Sequence, residues 1–201
     1  MRDIASRAQL SLGSTYYYFG SKEELVYAFY ARTQFDAEQR NENTIRATSS
    51  FRDRLRDILL FKLEQLAEYR GFIVVLARRA LEPSHPLSPF SRETKDVRDG
   101  AIEILRRAIE GSDLRVHRKL LPHLARFLWL YQMGVIFFWI HDDSDSQGRT
   151  RRVIDASLAL LNTLLSLTAV RLPGVGNAVS LAVGLLEELE FWERSSADGA
   201  L

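Results

Sequence analysis

Tyr16, Tyr17 and Tyr18 stand in a row, followed by Phe19 and, three positions on, by Lys22. Phenol hydroxyls and an ammonium group donate hydrogen bonds well to anionic oxygens, phosphate above all. No other set of polar side chains assembles into a recognisable reaction centre. His117 and His123 are six residues apart, not the i, i+4 of a zinc pair on a helix. "DDSDSQG" (142–148) lacks the terminal glutamate of a calcium loop and reads as a solvated turn. "GVG" (174–176) has no strand before it and cannot be a phosphate loop, and neither "SHP" nor "DDS" supplies a nucleophile elbow. With no cysteine, disulfides and thiolate metal sites are excluded, and a reducing compartment fits. These absences argue against an enzyme and imply no metal and no cofactor.

The tyrosines must be positioned by helices. By propensity "TYYYF" suits a strand, yet both flanks read as helix. Residues 2–8 place Ile4, Ala5 and Ala8 on one face, and "QLS" (9–11) makes a turn with Leu10 pointing inward. Ser11 caps a helix over 12–19, with Phe19 and Thr15 facing in. Ser21 and Glu24 have the spacing of a capping box, which starts a long helix reaching about residue 47. A local conflict between propensity and context is expected at a functional site. Helix, tight turn and short helix form the helix-turn-helix arrangement, whose second helix enters the DNA major groove. Residues 1–30 carry three cations (Arg2, Arg7, Lys22) against three anions (Asp3, Glu23, Glu24), so no basic patch advertises the interface.

Behind this front, helices are predicted over 51–70 (stripe Leu55, Ile58, Leu59, Lys62, Leu63, Leu66), 72–81 after an interruption at Gly71, 90–110, 115–141, 150–170 and 175–193. The reading is all-α, about nine helices, three short ones in front and long ones behind. The apolar fraction of 46% supports a packed core. The most apolar run, 127–140, is shorter than the ~20 residues of a membrane span. No secretory h-region is visible, so a soluble cytoplasmic protein without a membrane partner is expected.

"MRDIASRAQLSLGSTYYYFGSKEEL" resembles the N-terminal signature of the TetR family of transcriptional repressors, at Ile4, Ala5, Ala8, Ser11, Gly13, Tyr16, Phe19, Lys22, Glu23 and Leu25. The resemblance covers about the first 27 residues. Departures are Gln9 for the turn glycine, Ser14 for threonine, Thr15 for an apolar residue and Tyr18 for histidine. Gln9 must therefore take the turn conformation with a side chain present. The family also has a helix before "RDIA", so a truncated start is expected, with DNA binding compromised if the truncation is real.

The resemblance implies an N-terminal helix-turn-helix DNA-binding region with its connecting helix (1–47) and a helical ligand-binding and dimerisation domain (48–201). Ser11, Leu12, Gly13, Ser14, Thr15 and Tyr17 fall near bases or the groove floor, and Tyr16, Tyr18 and Lys22 at phosphates. A helix apolar on nearly all sides, as 115–141 is in its second half, must be buried all round. A homodimer interface is expected from Leu120, Leu124, Phe127, Leu128, Tyr131 and Val135 against Val153, Leu158, Leu161, Leu165 and Thr168. A cavity for a small, mainly apolar effector is expected among Phe72, Leu76, Arg79, Trp129, Gln132, Met133, Ile136 and Trp139. The expected function is a ligand-responsive repressor binding a palindromic double-stranded operator. The alternative is a dimeric helical module that binds a small molecule and no DNA.

Overall fold

The computed structural model describes residues 1–80, 85–170 and 173–189. The elements among them are α1 (Arg2–Arg7), α2 (Leu12–Tyr18), α3 (Lys22–Ala47), α4 (Phe51–Ala67), α5 (Arg70–Ala80), α6 (Lys95–Ile109), α7 (Leu121–Ile140), α8 (Gly148–Thr168) and α9 (Val175–Leu189), with one 3-10 turn before α8. The described residues contain no strand. Two helices in front are short, not three, because the third is the 26-residue α3.

Local chemistry sets the helix starts. Ser11, Ser21 and Ser50 are N-caps, each accepting the amide of the residue three positions on. Glu24 reaches back to the amide of Gly20, one residue before the cap, at 2.8 Å. Three expected boundaries move. The break after α4 falls at Glu68–Tyr69 and Gly71 lies inside α5. There Arg70 turns its guanidinium onto the carbonyls of Trp139, Ile140 and Asp142, at the negative end of α7. Helix α6 starts at Lys95, because the serines and threonine before it bond the backbone in turns: Thr94 donates to the Ser88 carbonyl and Ser91 to that of Pro86. Helix α7 starts at Leu121, with Pro122 in its first turn, where a missing N–H costs nothing.

The core lies around α4, which packs on α3, α6, α7 and α8. Phe51, Leu55, Leu59, Leu105, Leu128, Ile154 and Leu158 are almost wholly enclosed. The second half of α3 belongs to this body: Ala37 and Asn41 are buried, and Asn41 donates to the Ile104 carbonyl of α6. Helix α7, at 20 residues, has the length and composition of a membrane span. Here it is a core helix, with Leu124, Leu128, Trp129, Val135 and Trp139 buried against its neighbours.

The acidic turn 142–148 is more than a solvated loop. Asp142 is buried, and its carboxylate accepts from the amides and hydroxyls of both Ser144 and Thr150. Those bonds hold the carboxyl far below the usual range and fix the start of α8. Asp143 and Asp145 are the exposed members.

Candidate nucleic-acid interface

Helices α1 and α2 pack on each other through a turn in which Gln9 has φ 56, the left-handed conformation expected of a residue standing for glycine. The cap at Ser11 fixes the start of α2: its hydroxyl accepts the Ser14 amide at 2.9 Å and lies 2.8 Å from the Ser14 hydroxyl. The tyrosine run is helical, and its side chains fan outward. Tyr17 is 84% exposed, Tyr16 and Tyr18 are also exposed, and the Tyr17 and Tyr18 rings meet edge to face at 5.2 Å. Ser11, Leu12, Gly13, Ser14 and Lys22 are exposed as well.

Gly13 adds a second kind of information. A Cβ there would meet nothing closer than the Ser11 hydroxyl, at 3.8 Å. The fold itself therefore does not demand glycine at 13. A bare backbone on an exposed helix suits close approach by another surface.

Thr15 is a correction. It is 5% exposed, and its hydroxyl donates to the Ser11 carbonyl at 3.0 Å. It stands on the inward face of α2 and cannot reach a base. Ile4, Ala8 and Leu10, expected to point inward, are exposed, and Phe19 is half-buried. In α1 only Ala5 is enclosed.

In the helical body, one polar group breaks an apolar stripe. Lys62 lies on the α4 stripe and lines a narrow cavity between α3, α4, α6 and α7. Burial pulls its ammonium down to about 8, partly opposed by Asp36. Between pH 8 and 9.5 the unfolded chain therefore holds a proton that the folded chain has released, so stability should rise with pH across that window. The gain is about 1 kcal/mol. Urea midpoints for the wild type and Lys62→Met will isolate it, since Tyr30, pushed to about 12 by burial, acts in the opposite sense at higher pH.

A sequence model of the TetR family of bacterial regulatory proteins matches residues 1–29. A second, described as a tetracyclin repressor-like C-terminal domain, matches residues 54–179, more than half of the chain. The chain belongs to the TetR family. No individual curated protein matches it. Membership makes it a DNA-binding transcriptional regulator, with the reader at α1–α2 and a TetR-type helical body behind.

In this TetR-family body the expected dimer residues are redistributed. Leu120, Leu124, Leu128, Val135, Leu158 and Leu165 are buried within the single chain and leave no surface for a partner. Phe127 and Leu161 are half-buried against the same core. Tyr131 shares a 2.6 Å hydrogen bond with Ser157 of α8, and the Thr168 hydroxyl accepts the His117 amide. Val153 alone of the set is exposed, and with it a second α8 stripe: Leu160, Leu164 and Leu167. Helix α8 is apolar on two faces. Spacing cannot say which of them faces the chain's own core.

The expected cavity set also separates. Leu76, Trp129 and Trp139 are core side chains, and the Trp139 indole N–H donates to Gln147 at 2.6 Å. Phe72 lies at the surface with its ring edge-on to Phe29, and Met133 and Ile136 pack on the core. The Arg79 side chain lies outside the described residues. Gln132 is the one member of the set that lines the Lys62 cavity.

Proposed function

We propose that the protein is a cytoplasmic, ligand-responsive repressor that binds a palindromic operator as a homodimer, with residues 1–47 as reader and connector and 48–201 as receiver. The observation that carries the reading is the outward fan of Tyr16, Tyr17 and Tyr18 beside the open backbone of Gly13 and the exposed Lys22. Tyr16, Tyr18 and Lys22 donate to phosphates; Ser11, Leu12, Gly13, Ser14 and Tyr17 face the groove. Two copies joined through α8 along Leu160, Leu164 and Leu167 present two such readers, and two-fold symmetry in the protein requires it in the operator. A ligand that favours one dimer geometry changes reader spacing and releases DNA. The assignment needs no catalytic role for the protein.

Selection from a random duplex library should enrich inverted repeats, with half-sites about one DNA turn apart or slightly more. On the selected duplex, Tyr16→Phe with Lys22→Ala should weaken binding about tenfold to a hundredfold. The slope of log affinity against log salt should also fall by about two per dimer, one charged phosphate contact (Lys22) per protomer. Unchanged affinity and slope would overturn the phosphate roles. Enrichment of no sequence at all would favour the module that binds a small molecule without DNA.

A further inference from the structure

Lys62 of α4, Asn41 of α3 and Gln132 of α7 line one cavity, walled by Ile58, Phe61 and Ile104. Their hydrogen-bonding capacity is conspicuously unmet. Asn41 is 1% exposed; its amide N–H₂ donates to Ile104, and its Oδ1 is buried without a donor. Gln132 is buried and makes no hydrogen bond among the described residues. Lys62 has neither a hydrogen bond nor an ion pair among them. The carboxylate that acts on it at longer range, Asp36, is paired with Arg32 at 3.2 Å. Lys62 itself is half-buried, and the fully enclosed amide oxygen of Asn41, without a donor, is costly away from water. For stability alone an apolar side chain at 62 would serve better, since its neighbours on the stripe are Ile58, Leu59, Leu63 and Leu66.

We propose that this cavity receives the head of a small organic acid, its carboxylate accepting from Lys62 and Gln132 and a hydroxyl or amino group of the same acid donating to Asn41. The proposal rests on the receiver role given to the helical body and replaces a mainly apolar effector by an anionic one. The cavity, about 20 Å³, has room for no more than about one water. Admitting a carboxylate therefore parts α3 from α4 and α6. Because α3 begins at the reader, occupancy is felt there.

The test is thermal shift and calorimetry at pH 7 on the full chain. The probes are linear and aromatic monocarboxylic acids of two to ten carbons, with and without a hydroxyl or amino substituent, each against its primary amide. Carboxylates and not their amides should raise the melting temperature, and Lys62→Met should weaken their binding about 30-fold. Gln132→Glu, which gives Lys62 an internal anion, should abolish binding while melting no lower than wild type. The proposal is overturned if no acid outperforms its amide, if Lys62→Met and Gln132→Glu bind as wild type does, or if a crystal grown with the acid shows only a water between Lys62 and Asn41. DNA affinity is read separately. Lys62-dependent binding that leaves DNA affinity unchanged keeps this site and refutes ligand-responsive repression. Release of DNA by a compound from outside the panel, with no acid bound, does the reverse.

Discussion

Leu164→Arg should convert the proposed homodimer to monomers. Leu160 is 60% exposed, and Leu164 and Leu167, one turn and two turns further on, are exposed beside it, a contiguous apolar stripe along α8. Burying one leucine contributes about 2 kcal/mol. In a two-fold interface each substitution is felt twice, so the lost burial alone raises the dimer dissociation constant about 10³-fold. Guanidinium groups buried in the proposed interface add repulsion and desolvation. The monomer should keep its helical circular dichroism, because Leu164 makes no part of the buried core. Sedimentation equilibrium reads the result, and an intact dimer would place the interface elsewhere. Leu158→Arg should behave differently: that side chain is 2% exposed, and the variant should fail to fold rather than fold as a monomer.

Arg54→Met should lower stability by about 4 kcal/mol, a large part of the 5–15 typical of a domain. Arg54 is buried and donates to four carbonyls: Thr48 at 2.7 Å, Glu110 at 2.9 Å, Ala108 at 3.1 Å and Ile45 at 3.2 Å. These are at the C-terminal ends of α3 and α6, where a cation is favoured by both helix dipoles. Methionine keeps much of the volume and strands all four acceptors. Arg54→Lys keeps the charge but cannot span the fork, so it should recover less than half of the loss. Urea midpoints measure both. A loss below about 1 kcal/mol for the methionine variant would mean that water replaces the guanidinium.

The helices were legible in the sequence because their signals are local. Serine caps at 11 and 21 start α2 and α3, and the turn at Gln9 has the left-handed backbone that its place in the motif required. Ser11, Leu12, Gly13, Ser14, Tyr16, Tyr17, Tyr18 and Lys22 are exposed, whereas Thr15 is enclosed, as its place on the inward face beside Phe19 required and its assignment near the bases did not. A threonine in place of the usual apolar residue still packs inward once its hydroxyl is satisfied by its own helix. What periodicity could not supply is which neighbour a face meets. Helix α8 carries leucines at 158, 160, 161, 164, 165 and 167, enough for two stripes, and only the packed structure separates core from surface. Arg54 and Asp142 were illegible for a related reason. A charged residue in a helix or an acidic loop reads as solvated until the carbonyls or amides it serves are brought to it from other parts of the chain. Lys62 did leave a trace: a lysine in register with five aliphatic residues of α4.

Helix α3, with 26 residues, is a rod about 39 Å long. The Arg54 fork pins one tip, and the tyrosine-bearing element is attached at the other. A tilt of about 5° at the pinned tip swings the far one by about 3 Å, the length of a hydrogen bond. In the proposed repressor, a lever of this kind would turn a slight wedge near its fulcrum into the loss of the proposed phosphate contacts at its arm.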